Sequence, residues 1–320
     1  MVLKDAKLQI ISIFDVNSIF AKKIVFLADK KNLLEDAAKI ISEKPKPFIK
    51  WVGGKRQLLD QFRLMNLYPP EKFDPLKNNY FEPFVGGGAV FFDLMPEKAY
   101  LSDLNKELVI TYNVIKNNLN LLVKSLRKHK NTKEHFLKMR SKKIDKLTDI
   151  EIASRFIYLN RTCFNGLYRV NSKGEFNVPF GQNKNPLICD EKNLEKVSKA
   201  LQNVEIKNED YKNVLKYAKK GDFVYFDPPY YPVSKTSSFT SYTKKSFLEK
   251  EQIDLRDTFV ELTKRGCFVM LSNSDTPFIN KIYSDIKSKK IRISKVYANR
   301  AVNSKASRRG KITEVLITNY

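Results

Sequence analysis

Apolar and polar positions divide this chain into short β-favouring runs separated by stretches with helical spacing. The clearest run is Phe-Val-Tyr-Phe at residues 223–226, which meets Asp227-Pro228-Pro229-Tyr230 and stops. Val, Tyr and Phe favour a buried strand, and the prolines end it because neither ring nitrogen can donate to a ladder. Further strands are expected within residues 80–85, 99–103, 204–211, 267–271 and 312–318. Helical spacing predicts helices over 89–94, 149–158 and 245–265. Residues 8–14 and 24–27 are β-favouring, and 32–41 read as a helix with Asn32 as N-cap. Pro45-Lys46-Pro47 closes this first segment. From 111 to 199 the pattern turns lysine-rich and helical, without strands that would continue a parallel sheet. Within that stretch residues 168–170 and 175–178 read as a hairpin about the turn Ser172-Lys173-Gly174.

Composition narrows the partners. Lys+Arg 59 against Asp+Glu 35 leaves +24 over 320 residues. Such an excess suits a polyanion, because cations that neutralise phosphates release counterions. A lysine-rich proteome would raise the charge as well, so the motifs must decide. The three cysteines Cys163, Cys189 and Cys267 form no close pair, and the two histidines His129 and His135 suit a solvated helix face; neither set suggests a metal site. No apolar run approaches membrane-spanning length, and Lys4, Asp5 and Lys7 stand where a signal peptide needs its apolar centre. A reducing cytoplasm is expected.

The strand before Asp227 delivers that carboxylate to the carboxyl end of a sheet, where open α/β sheets keep their ligands. The tetrad suits methylation of an exocyclic amine on a nucleobase. Such a nitrogen is a poor nucleophile because its lone pair is delocalised into the ring. Asp227 can accept one N–H and the Pro228 carbonyl the other, while Tyr230 offers a face for an extruded base. Direct in-line attack on a sulfonium methyl is expected, with the proton leaving late. An ordinary turn after a strand could carry the same four residues.

Other motifs assemble around this one. In Lys50-Trp51-Val52-Gly53-Gly54-Lys55 the glycines admit close backbone approach, Lys55 can face a carboxylate and Trp51 can cover an apolar group. The spacing is not that of a phosphate-binding P-loop. Gly86 and Gly88 lie in a strand–turn–helix without the full dinucleotide fingerprint, and Asp103 ends the next strand, placed either for ribose hydroxyls or as an N-cap. An adenosyl ligand without phosphates fits this set, and Asp210 with Tyr211 could bind its adenine. Arg169 could grip a guanine edge.

In order from Phe48 to Tyr320, the motifs Lys-Trp-Val-Gly-Gly-Lys, Phe-Glu-Pro-Phe-Val-Gly-Gly-Gly, Asp103, Phe-Asn-Gly-Leu-Tyr-Arg-Val-Asn with Phe-Asn-Val-Pro-Phe-Gly, and Asp-Pro-Pro-Tyr resemble the Dam-type DNA adenine-N6 methyltransferases, especially their Gram-positive GATC branch. The resemblance implies an α/β, Rossmann-like methyltransferase fold with a mixed seven-stranded sheet and S-adenosyl-L-methionine as cofactor. It implies a discontinuous catalytic domain over 47–112 and 200–320, an inserted target-recognition domain over 113–199, and an extension of unassigned role over 1–46. Trp51, Lys55, Phe84, Gly86, Gly88, Asp103, Asp210, Tyr211 and Asp227 would line the cofactor site, with Asp227, Pro228, Pro229 and Tyr230 catalytic. Lys50 and Arg169 would read guanines, and Asn165, Leu167 and Pro179 would touch central bases. Double-stranded DNA is the implied partner, met as a monomer, and the implied role is either protection paired with a restriction endonuclease or that of an orphan methylase, from a bacterial, phage or mobile-element source. Asn183 departs from a DNA-contacting tyrosine of some relatives, and the segment before Pro45 is longer than usual. Cytosine-N4 or RNA adenine methylation, or a silent DNA-binding regulator, are the alternative readings.

Overall fold

The computed structural model describes residues 44–233, 247–286, 290–299 and 311–320. The strands and helix read from the first 43 residues, the Ser/Thr-rich loop at 234–243 and the basic loop at 300–310 lie outside the described residues. The described elements run α1 (Leu59–Leu64), β1 (Tyr80–Glu82), α2 (Ala89–Leu94), β2 (Ala99–Ser102), α3 (Lys106–Asn117), α4 (Leu119–Leu126), α5 (Lys133–Arg140), α6 (Asp149–Thr162), α7 (Glu191–Ala200), β3 (Val204–Lys207), α8 (Val214–Tyr217), β4 (Phe223–Phe226), α9 (Glu249–Lys264), β5 (Phe268–Ser274), α10 (Pro277–Ser284), β6 (Arg292–Asn299) and β7 (Lys311–Thr318).

The strands form one 7-stranded sheet of order β3-β2-β1-β4-β5-β7-β6. β1 to β5 pair in parallel, and β7 runs antiparallel to both β5 and β6, giving the mixed α/β sheet expected. The strand period of two explains how the sheet is covered. All four residues of β4 are fully buried, yet they face opposite ways: Phe223 and Tyr225 pack in one apolar cluster, Val224 and Phe226 in the other. β5 repeats this division, with Met270 on the first side and Val269 and Leu271 on the second. A strand buried on both faces reads as continuously apolar, which is why β4 stood out in the sequence.

The first cluster continues from the sheet into α3 through Leu108, Tyr112 and Ile115, and on into α6 through Phe156, Ile157 and Tyr158. Neighbouring strands β2 and β3 are thus joined by five helices, α3 to α7, that share the core of the sheet's first face. α6 is started by a capping box in which Thr148 and Glu151 satisfy each other's backbone N–H. Its Arg155, fully buried, pairs with Glu107 of α3 at 2.8 Å and donates to the carbonyls of Met139 and Arg140. Glu107 also accepts from the Tyr168 hydroxyl at 3.0 Å, so this ion pair anchors the loop that follows α6.

Three expectations change. Strand β6 was not read from the sequence: among its described side chains only Val296 is buried, because it is an edge strand. The hairpin over 168–178 reverses as expected, with Asn171 N bonding Glu175 O and Asn177 N bonding Arg169 O, but pairs only through an isolated Val170–Phe176 bridge. Its turn is set by Asn171, whose side-chain oxygen accepts from the amides of Lys173 and Glu175. The histidines are not on a solvated face. His129 Nδ1 and His135 Nε2 are 2.9 Å apart, His129 Nε2 meets Ser154 Oγ at 2.9 Å, and its ring stacks on Tyr158. Burial, with His135 and Lys142 nearby, pushes His129 down to about 4, so it is a neutral packing residue at physiological pH.

Candidate active site

β4 ends at Phe226, and the next residue is Asp227. The carboxylate meets the Lys55 ammonium at 2.8 Å, with Lys55 4% and Asp227 22% exposed. Lys55 arrives from the Gly53-Gly54 turn, also donates to the Gly53 carbonyl, and stands 4.9 Å from the centre of the Tyr230 ring. Burial pushes the Asp227 carboxyl up to about 6, against the opposing pull of Lys55. Near neutrality Asp227 is therefore an ionised acceptor beside a cation and an aromatic face.

Pro229 and Tyr230 are held by residues that no motif indicated. Tyr230 donates its hydroxyl to Glu314 of β7 at 2.8 Å. Gln252 of α9 donates to the Pro229 carbonyl at 2.9 Å. Among the described residues no donor reaches the Pro228 carbonyl. Glu82, at the end of β1, accepts from Tyr80 and from the Phe91 amide of α2, and burial pushes its carboxyl up to about 8. It ties the strand to the helix beyond the glycine turn.

That turn carries the second group of expected residues. Gly86 and Gly88 have φ of +47° and +68°, and a Cβ on Gly86 would come within 2.6 Å of the Trp51 ring. Trp51 in turn stacks on Tyr168 at 5.7 Å, joining the glycine turn to the loop after α6. Asp103 accepts from the amides of Gly86 (3.2 Å) and Asn105 (2.9 Å), and burial pushes its carboxyl up to about 6. The N-cap of α3 is Asn105, which accepts from Leu108. Asp103 is thus not a cap, and the capping alternative falls. Phe84 stacks on Tyr211 at 5.3 Å, with Phe226 and Phe247 edge-on around the pair. Asp210 stands apart from these rings' packing: it is exposed and accepts from the Lys212 amide.

The residues expected to meet DNA gather at the other end of Trp51. Asn160 of α6, buried, accepts from Lys50 N and donates to Lys50 O, each at 2.8 Å, and also donates to Gly166 O at 3.0 Å. It brings Lys50 beside Asn165 and Leu167. A Cβ on Gly166 would lie 2.5 Å from Lys50 Cδ, so only glycine admits the lysine stem there. Asn165 is exposed with φ 55°, and Arg169 is exposed with its Nε bonded to Asn177. Pro179 is exposed and its carbonyl accepts from Phe164. Phe164 itself, 50% exposed, was not singled out by the motifs. Among the described residues no cluster of metal-ligating side chains occurs, and no helix is long and apolar enough to cross a membrane.

Residues 51–300 match the family described as D12 class N6 adenine-specific DNA methyltransferase. The chain is 47% identical over 283 residues to the type II methyltransferase M1.LlaDCHI of Lactococcus lactis subsp. cremoris, covering 86% of this chain and 95% of that one. It is 45% identical over 293 residues to the type II methyltransferase M.MjaIII of Methanocaldococcus jannaschii (86% and 99%). To the DNA adenine methylase of Escherichia coli K12 it is 33% identical over 278 residues (86% and 95%). The match spans the Lys55 turn, the glycine turn, the loop after α6 and the Asp227 segment together, and the chain belongs to the D12 class of N6 adenine-specific DNA methyltransferases.

Proposed function

We propose that this enzyme methylates adenine N6 within GATC of duplex DNA, using S-adenosylmethionine and a base rotated out of the helix. The observation that carries the reading is the Asp227 carboxylate, held by Lys55 at 2.8 Å and followed directly by a Pro228 carbonyl that meets no donor among the described residues. Asp227 accepts one N–H of the target amine and Pro228 the other, drawing the nitrogen towards tetrahedral geometry. The carboxylate is also the nearest acceptor for the proton the amine must lose. The Tyr230 face stacks on the extruded base, since a base inside the duplex is out of reach.

The donor set fits S-adenosylmethionine. Lys55 is committed to Asp227; Asp103 suits ribose hydroxyls, and the Phe84–Tyr211 pair suits an adenine. When bound, the cofactor supplies an electrophilic methyl on a sulfonium centre. Trp51, Lys55, Phe84, Gly86, Gly88, Asp103, Asp210 and Tyr211 hold it. Residues 113–199 form the target-recognition part: Lys50 and Arg169 read guanines, and Asn165, Leu167 and Pro179 reach central bases. The exposed Phe164 ring suits a wedge between base steps. Two relatives named type II methyltransferases support pairing with a restriction endonuclease, and three free thiols suit the cytoplasm.

Transfer of labelled methyl from S-adenosylmethionine to duplexes carrying GATC, a one-base variant or N6-methylated GATC tests this. Label on the first alone is expected. Label on all three would refute the site assignment, and label on none would refute the cofactor.

A further inference from the structure

Proline has no N–H, so residues 228 and 229 cannot be tied to the sheet by donors of their own. Two buried amide side chains take over that task. Gln252 on α9 and Asn273 on β5 are both 0% exposed. Gln252 Nε2 donates to Pro229 O at 2.9 Å, and its Oε1 accepts from Asn273 Nδ2 at 2.9 Å. Asn273 Oδ1 accepts from Tyr231 N at 3.1 Å and from Ser274 N at 2.8 Å, while Ser274 Oγ donates to Tyr231 O at 2.7 Å. The direction of the chain of bonds is fixed at both ends, because a carbonyl can only accept and a peptide N–H only donate. Both peptide units flanking Tyr230 are thereby fastened to α9 and β5. Of the two proline carbonyls only Pro228's is left without a donor among the described residues.

We propose that Gln252 and Asn273 are positioning residues for methyl transfer: the amide relay occupies the Pro229 carbonyl and fixes the Tyr231 amide, so that Pro228 presents the acceptor to the target amine and Tyr230 its stacking face. This rests on the reading of residues 227–230 as the segment that holds the amine. Fully buried amides whose bonds all go to that backbone, to its Ser274 neighbour or to each other serve placement, since neither reaches the Lys55–Asp227 pair. A shift of the segment by an ångström would cost rate without emptying the cofactor site.

The test uses the full chain on a GATC duplex. Gln252→Met keeps volume and removes the donor; Gln252→Glu keeps the acceptor for Asn273 and removes only the donor; Asn273→Asp keeps the acceptor for Tyr231 and removes the link to Gln252. Single-turnover rate, DNA affinity, melting temperature and cofactor affinity by fluorescence of the single tryptophan, Trp51, are measured together. Each variant is expected to lose about 10- to 100-fold in rate with both affinities kept. Because the residues act as one chain, the Gln252→Met/Asn273→Asp double variant should be no slower than the slower single. Wild-type rate in a folded variant, a rate loss matched by lost cofactor or DNA affinity, or additive losses would overturn the relay alone. Absence of transfer by the wild-type chain would instead overturn the amine-holding reading and the relay with it.

Discussion

The segment 227–231 and the loop 164–180 are both irregular backbone next to the site, yet they are held very differently. Around Asp227 every irregular residue but Pro228 is fastened by a distant side chain: Lys55 on Asp227, Gln252 on Pro229, Glu314 on Tyr230 and Asn273 on Tyr231. The loop is fastened at its root, by Tyr168 on Glu107 and Asn160 on Gly166, while Asn165 and Arg169 are exposed. Arg169 uses Nε on Asn177, and its Nη donors meet no acceptor among the described residues. Groups that perform chemistry gain from being aligned before substrate arrives. Groups that read a sequence must keep their hydrogen-bonding capacity for base edges.

The largest effect should follow from Asp227→Ala. Its rate of methyl transfer is expected to fall by about 10²- to 10⁴-fold, with duplex binding kept, as filter binding beside a single-turnover assay would reveal. Equal loss of binding would dissolve the contrast between the two regions. Lys55→Met should come next. Removing the ammonium withdraws the largest influence that lowers the Asp227 carboxyl, so its value rises beyond about 6 and a larger share of it is protonated near neutrality. The variant should be slow at pH 7 and recover towards higher pH.

In the wild-type enzyme the sign is the same and the displacement smaller. Asp227 and Asp103, both pushed up to about 6 by burial, are ionised above that pH and protonated below it. Rate and cofactor affinity should therefore both decline as pH falls through about 6. An Asp103→Asn variant should lose the pH dependence of cofactor affinity and keep that of the rate, which would separate the two carboxylates. A flat rate between pH 7 and 5 would refute the role of Asp227 as acceptor.

The smallest effect on rate belongs to the loop. Arg169→Ala should leave transfer to the preferred duplex nearly intact and reduce discrimination against a substituted guanine by about 1–3 kcal/mol. Competition between duplexes measures this directly.

What was legible in the sequence follows the same division. β4 could be read because a strand buried on both faces is continuously apolar and two prolines mark its end. The Lys55 and glycine turns could be read because close backbone approach demands glycine. β6 could not, since Ile293 packs on one side of the sheet and Val296 and Ala298 on the other, while the aromatic Tyr297 of this edge strand faces solvent. The supporting residues Gln252, Asn273 and Glu314 could not either. They are polar side chains on an amphipathic helix and two strands, indistinguishable locally from surface positions, and only the packing of α9, β5 and β7 against the Asp227 segment gives them their partners. The histidines misled for the same reason: six residues apart, they are joined by the fold of α5 against α6.

The most direct measurement is methyl transfer by Asp227→Ala and Arg169→Ala assayed side by side on the preferred and a one-base-altered duplex. The expected result is a clean split, with Asp227→Ala strongly slowed on both and Arg169→Ala active on both but less selective. Equal loss of transfer on both duplexes in the two variants would contradict the separation of a preformed chemical segment from a reading loop.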